Sequence, residues 1–157
     1  VVVFRIASNT ISYRADDMSG MGAKIDGGRW NEKGLAALYT SENRALACLE
    51  TVVHLNAGGL PLNRYLVEVT IPDDVWSNRE EADVTTLVGL DAEPASIVSI
   101  SHGTHWLRAG RSAVLVVPSV IAPEEKNILI NPAHADSTKI VAKSMRKWTY
   151  DSRMAKT

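Results

Sequence analysis

One cysteine, Cys48, stands in the 157 residues, so no disulfide can close within the chain. Its place in an apolar, helix-like stretch makes it a small core hydrophobe. No run of 18 apolar residues occurs, and no membrane-spanning helix is expected. The opening Val1-Val2-Val3-Phe4-Arg5 has neither the basic region nor the length of a signal peptide. A net charge of −1 argues against a nucleic-acid binder that relies on a broad basic surface. The basic residues of the last third, Arg111, Lys143, Arg146, Lys147 and Arg153, read as a solvated face. The four histidines, 54, 102, 105 and 134, show no metalloprotease-like spacing, so no metal site is expected. No Gly-x-Ser-x-Gly elbow, P-loop or Rossmann fingerprint is present either. What remains fits a reducing, cytoplasmic setting without a membrane.

The chain has a core's worth of apolar residues, 45%, and the length of a single domain, residues 1–157. Val2 to Ala7 reads as a first strand. Residues 8–34 hold Gly20, Gly22, Gly27, Gly28 and Gly34 beside Asp16, Asp17 and Asn31, which predicts a long loop. Long loops inside a compact domain are usually functional. Leu35 to Thr40 predicts a strand, with Ser41 as N-cap of a helix from Glu42 to about Leu55 that stops at Asn56-Ala57-Gly58-Gly59. Arg64 to Ile71 alternates as a strand, with Tyr65, Val67, Val69 and Ile71 on one side. Residues 73–95 are mixed and acidic and carry no clear period. Ala95 to Arg108 predicts a helix despite Gly103, which costs roughly 1 kcal/mol against alanine there. Ser112 to Val117, Ile128 to Ile130 and Lys139 to Tyr150 complete the strands. Without a regular βαβ repeat the class is α+β.

One cluster of residue types stands out. Arg29 follows Gly27-Gly28, Trp30 and Asn31 follow it, Tyr39 ends a strand, and Glu50 lies in the next helix. Leu46, Leu49 and Val53 define an apolar stripe on that helix, and Glu50 supplies its i+4 position. A carboxylate there is either at the stripe's edge, in water or a salt bridge, or lines a polar cleft. Arg29 is either a turn arginine paired with a nearby acid or an anion clamp, since a guanidinium forks across phosphate oxygens and glycines let backbone N–H groups approach. Trp30 reads as a core anchor or a ligand plate. Tyr39 reads as a rim residue or as the floor of a cavity.

Taken in order along the chain, these pieces resemble the RES-domain family, the toxin halves of bacterial RES–Xre toxin–antitoxin pairs. They are Phe4-Arg5-Ile6, Gly27-Gly28-Arg29-Trp30-Asn31 with Gly34, Leu38-Tyr39-Thr40-Ser41 and Ala47-Cys48-Leu49-Glu50. Trp106-Leu107, Ser112-Ala113-Val114-Leu115, Val117-Pro118-Ser119, Asn127, Leu129 to His134 and Tyr150-Asp151-Ser152-Arg153 follow. The ordered set covers nearly the whole chain, and one departure, Ala135 where proline is expected after His134, falls in a loop.

The resemblance implies an ADP-ribosyltransferase-like mixed β-sheet core with flanking helices, and an enzyme that consumes NAD as substrate with no prosthetic group. Cleavage of the nicotinamide–ribose bond by hydrolysis or phosphorolysis, with growth arrest, is the leading expectation. Mono-ADP-ribosylation of a specific protein is the alternative, and a non-catalytic NAD- or partner-binding module is the third. By resemblance Glu50, Arg29 and Tyr39 are catalytic, and Arg29, Tyr39, Ser119 and Asn131 bind NAD. Ser119 is expected to line the cleft and not to act as a nucleophile. The implied partner is an Xre-like DNA-binding antitoxin that occludes the NAD cleft; a homodimer is compatible, and the toxin itself need not touch DNA. No segment reads as an internal lid, so inhibition is expected from another polypeptide.

Overall fold

The computed structural model describes residues 1–55 and 59–155, and these are organised on one mixed sheet of seven strands. The elements run β1 (Val2–Ala7), α1 (Met21–Asp26), β2 (Leu38–Ser41), α2 (Arg44–Val52), β3 (Tyr65–Thr70) and α3 (Asp73–Ser77). Then come β4 (Glu80–Glu81), α4 (Ile97–Ala109), β5 (Val114–Pro118), β6 (Lys126–Ile130) and β7 (Val141–Lys147). Across the sheet the order is β4-β5-β6-β2-β1-β3-β7, antiparallel except for the parallel β4–β5 pair. Strands and helices do not alternate as βαβ units, so the α+β class read from the sequence holds.

The registers sort the side chains onto two faces, because residues directly paired across a ladder point the same way and successive residues point oppositely. Val3, Leu38, Val67, Val69, Val114, Val116, Ile128 and Ile130 form one buried face. It is closed by Ala15, Val75 of α3 and Ile140. The other face is split. On one side Trp106 and Leu107 of α4 pack with Trp30 on Leu115, Val117 and Leu129. On the other, Ala47 and Cys48 of α2 pack on Phe4, Ile6 and Leu66. Between these two clusters the pairing Phe4↔Ser41↔Asn127↔Val117 places two polar side chains in the sheet. That polar row positions the candidate site.

Several sequence expectations are corrected here. The loop expected over residues 8–34 contains α1. Ser41 is not the N-cap of the second helix; it ends β2, and Asn43 caps α2 by accepting from Leu46 N at 2.8 Å. Glu42 instead accepts from Lys126 N at 2.7 Å, tying β2 to β6. Most of the predicted stop, Asn56 to Gly58, lies outside the described residues. The inner face of α2 carries Leu46, Ala47 and Cys48, whereas Leu49 and Val53 are exposed. The stripe drawn through Leu46, Leu49 and Val53 was therefore rotated from the true one. Short β4 and α3 hide in the acidic segment that carried no period. Cys48 is buried as expected, and burial pushes its thiol pKa up.

Candidate active site

Arg29 rides on a loop locked from three directions. Asn31 is buried, and its amide nitrogen donates to Ala23 O at 2.9 Å and Leu35 O at 3.0 Å. Its Oδ1 accepts from the Tyr39 hydroxyl at 2.7 Å, and that same hydroxyl accepts from Trp30 N at 3.0 Å. A Cβ on Gly28 would sit 2.6 Å from the Tyr39 hydroxyl oxygen, so only glycine lets the loop cross there. The third anchor is α4. A Cβ on Gly103 would fall 1.9 Å from the Trp30 carbonyl oxygen, and Thr104 Oγ1 accepts from Glu32 N at 3.1 Å. Close approach thus explains the glycine that weakens this helix's propensity. Burial raises the Tyr39 pKa, opposed by the Trp30 N–H and the Arg29 charge, so Tyr39 stays a neutral hydroxyl that fixes the loop.

The Arg29 guanidinium is itself occupied. Nη1 donates to Leu90 O at 3.2 Å and Ala92 O at 2.8 Å, and Nη2 pairs with Glu93 Oε2 at 2.7 Å. Arg29's side chain is 17% exposed and Glu93's is 82% exposed. Residues 90–93 therefore lie as a strap along the guanidinium, with the Glu93 carboxylate as its counter-ion.

Glu50 faces inward from α2, on the arc between Leu46 and Ala47, and is part-exposed. Its Oε1 accepts from Ser119 Oγ at 2.9 Å and from Asn127 Nδ2 at 2.6 Å. Asn127 Oδ1 in turn accepts from Ser41 Oγ at 2.8 Å. Ser119 Oγ accepts from Ile121 N at 3.1 Å and Ala122 N at 3.2 Å, which uses up the oxygen and aims its proton at Glu50. Ser119 is 1% exposed, so it stands behind Glu50 and does not line an open ligand surface. Among the described residues no histidine hydrogen-bonds to it.

Tyr39 and Ser41 are two residues apart on β2 and share a face, roughly 7 Å apart by strand geometry. Tyr39 holds the Arg29 loop and Ser41 holds the Glu50 network, so one strand links the two ends of the candidate site. Asn131 does not join the Glu50 network. Four residues beyond Asn127, it leaves β6 roughly 13 Å away. It is buried, donating to Leu107 O at 3.1 Å and accepting from Ala133 N at 3.1 Å, which spends its amide on the fold. Asn127 and Ser41 are the site residues the sequence reading passed over. Their signal was present: two polar side chains on the inward face of otherwise apolar strands. A hollow of about 450 Å³ lined by Val1, Val2, Val3, Glu42, Trp76, Glu81, Val116, Lys126 and Ile128 opens chiefly on the opposite face. Among the described residues no group of three His, Cys, Asp or Glu side chains is placed to hold a metal ion.

An inward carboxylate fixed by side-chain donors, across a strand from a guanidinium in a glycine-rich loop, suits a ligand with an anion at one end and developing positive charge at the other. Known proteins share the sequence and the fold. A family model for the RES domain matches residues 2–152. "Prs ADP-ribosylating toxin" of Sphingobium sp. (strain YBL2) is 61% identical over 152 residues, 96% of this chain and 94% of the relative. "Toxin Res" of Yersinia enterocolitica is 38% identical over 78% of this chain and 79% of its own length. "Toxin Res" of Photorhabdus laumondii is 32% identical over 99% and 98%. Among solved structures, the M. tuberculosis MbcT–MbcA toxin–antitoxin complex contains a chain of the same fold, with a TM-score of 0.63 at 15% identity over 92% of this chain and 84% of that one. With its ordered motifs, sheet and family match running from β1 to the closing segment, the chain belongs to the RES-domain family.

Proposed function

We propose that this protein is the toxin of a toxin–antitoxin pair, breaking the nicotinamide–ribose bond of NAD and passing the ADP-ribose to a protein acceptor. The observation that carries the reading is Glu50: an inward carboxylate whose Oε1 is held by Ser119 and Asn127. The bond from the nicotinamide nitrogen to the ribose C1′ breaks with its electron pair leaving on nicotinamide. The ribose becomes oxocarbenium-like, and a fixed carboxylate stabilises that charge. The acceptor's nucleophile then bonds to C1′ and loses its proton. Arg29 takes a phosphate of the dinucleotide in exchange for Glu93, and Tyr39 sets the distance between the two ends. NAD is substrate here, and no prosthetic group is invoked.

Transfer to a protein is preferred because the relative at 61% identity is named an ADP-ribosylating toxin. The acceptor to test first is the Prs of that name. Hydrolysis or phosphorolysis is the second reading, favoured by the part-exposed position of Glu50, which leaves water a way in. An antitoxin of Xre type is the proposed partner, and the cytoplasm the proposed setting. Purified protein incubated with NAD, with and without Prs, separates the readings: transfer puts ADP-ribose on Prs in step with nicotinamide release. Free ADP-ribose or its phosphate with unlabelled Prs moves the assignment to NAD degradation. No nicotinamide release under either condition removes the catalytic reading.

A further inference from the structure

The row of polar side chains between the two apolar clusters does more than fill a gap. Asn127 lies in β6 with Ser41 opposite it on one side and Val117 on the other. An apolar residue would continue the packing of Leu129 and Leu115, yet an amide stands there. Its two ends are both committed: Nδ2 donates to Glu50 Oε1 at 2.6 Å and Oδ1 accepts from Ser41 Oγ at 2.8 Å. The reversed amide would set Oδ1 against the carboxylate, two acceptors face to face, so Glu50 selects this orientation and Ser41, whose hydroxyl donates or accepts, holds the far end of the amide in place. Ser41 is buried on β2 and Asn127 is strand-held, so neither partner is free to swing away. Ser119 brings a second donor to the same oxygen. Among the described residues both donors fall on Oε1 and none falls on Oε2.

We propose that Asn127, held in place by Ser41, is a positioning residue that works through Glu50: it fixes the plane of the carboxylate and keeps Oε2 turned to the ribose. The claim rests on the reading of Glu50 as the group that faces the reacting sugar. Oε1 is the structural oxygen and Oε2 the working one. Ser41 acts on Glu50 through two hydrogen bonds, by way of the amide.

Kinetics of nicotinamide release from NAD test the chain of influence. Asn127→Ala is expected to lower kcat about 10- to 100-fold with KM for NAD within about twofold, as a misaimed catalytic group would. Asn127→Asp, which keeps the shape and the Ser41 contact but replaces the donor by an acceptor, is expected to lose more. Ser41→Ala should lose about 3- to 10-fold, and the double variant should be no worse than Asn127→Ala, since residues acting through one another are not additive. Multiplying losses in the double variant, or a wild-type kcat in Asn127→Ala, overturns the proposal. Crystal structures of the wild type and of Asn127→Ala give a second measurement that needs no activity. Glu50 should keep its carboxylate orientation in the first and lose it in the second. If the orientation survives, the positioning role falls. If it is lost while the wild type releases no nicotinamide, the positioning role stands and the catalytic reading of Glu50 falls.

Discussion

The two ends of the candidate site are built from different material. At the Glu50 end a helix, two paired strands and the turn after β5 hold one carboxylate oxygen with side chains that are themselves bonded behind it. At the Arg29 end a rigid glycine loop presents the guanidinium, but what touches it is an irregular strap, two carbonyls and the exposed Glu93. A charge stabiliser must be in place before the transition state forms, because reorganising it during the reaction costs rate. A binding cation needs partners it can exchange. On the proposed function, the Glu50 end is preorganised for chemistry and the Arg29 end serves to trade one anion for another.

The largest expected effect should fall on the rigid end. Glu50→Gln keeps the shape but removes the charge, and kcat for nicotinamide release is expected to drop on the order of 10³-fold with the melting temperature near wild type. Ser119→Ala takes away one charge-assisted donor and should cost about 10- to 100-fold in kcat, again at nearly constant KM. Mass spectrometry of the working enzyme should find no ADP-ribose on Ser119. At the other end the signature changes from rate to affinity. Arg29→Lys loses the planar fork and should weaken NAD binding about tenfold by calorimetry. The smallest effect runs in the opposite direction. Glu93→Gln should tighten NAD binding about two- to fivefold, the scale of an ion pair with one exposed partner. If Glu93→Gln weakens binding, the strap is a fixed wall and Arg29 is its anchor, and the contrast between the ends is lost. If Arg29→Lys leaves affinity unchanged, the anion clamp lies elsewhere.

Legibility in the sequence followed how local each determinant was. The alternation of Val67, Val69 and Ile71 marks β3 because a half-buried strand needs a period of two, and that face is indeed buried. Glycine density around residues 20–34 announced a constrained loop, although it hid α1, six residues long and without a buried side chain to give it a period. The inward direction of Glu50 came out right from a stripe that was wrong. Leu46 does lie inside, but the arc continues through Ala47 and Cys48, two small residues that a search for large apolar side chains undervalues. Asn131 is placed with the site by the family resemblance alone, and its amide bonds Leu107 O and Ala133 N of the fold.

What the sequence alone determined is the set of local choices: the class, most strands, α4, the glycine loop and the ordered motifs that mark the family, each carried by neighbours a few residues apart. Which residues meet was decided by the sheet. Glu50, Asn127 and Ser41 come from α2, β6 and β2, and they converge only because β2 lies between β1 and β6 in the register that aligns Ser41 with Asn127. The strap on Arg29 likewise joins residues more than sixty apart. A period in the sequence reports which face a side chain takes, whereas partners across a sheet are chosen by long-range pairing, and that information exists only once the strands have assembled.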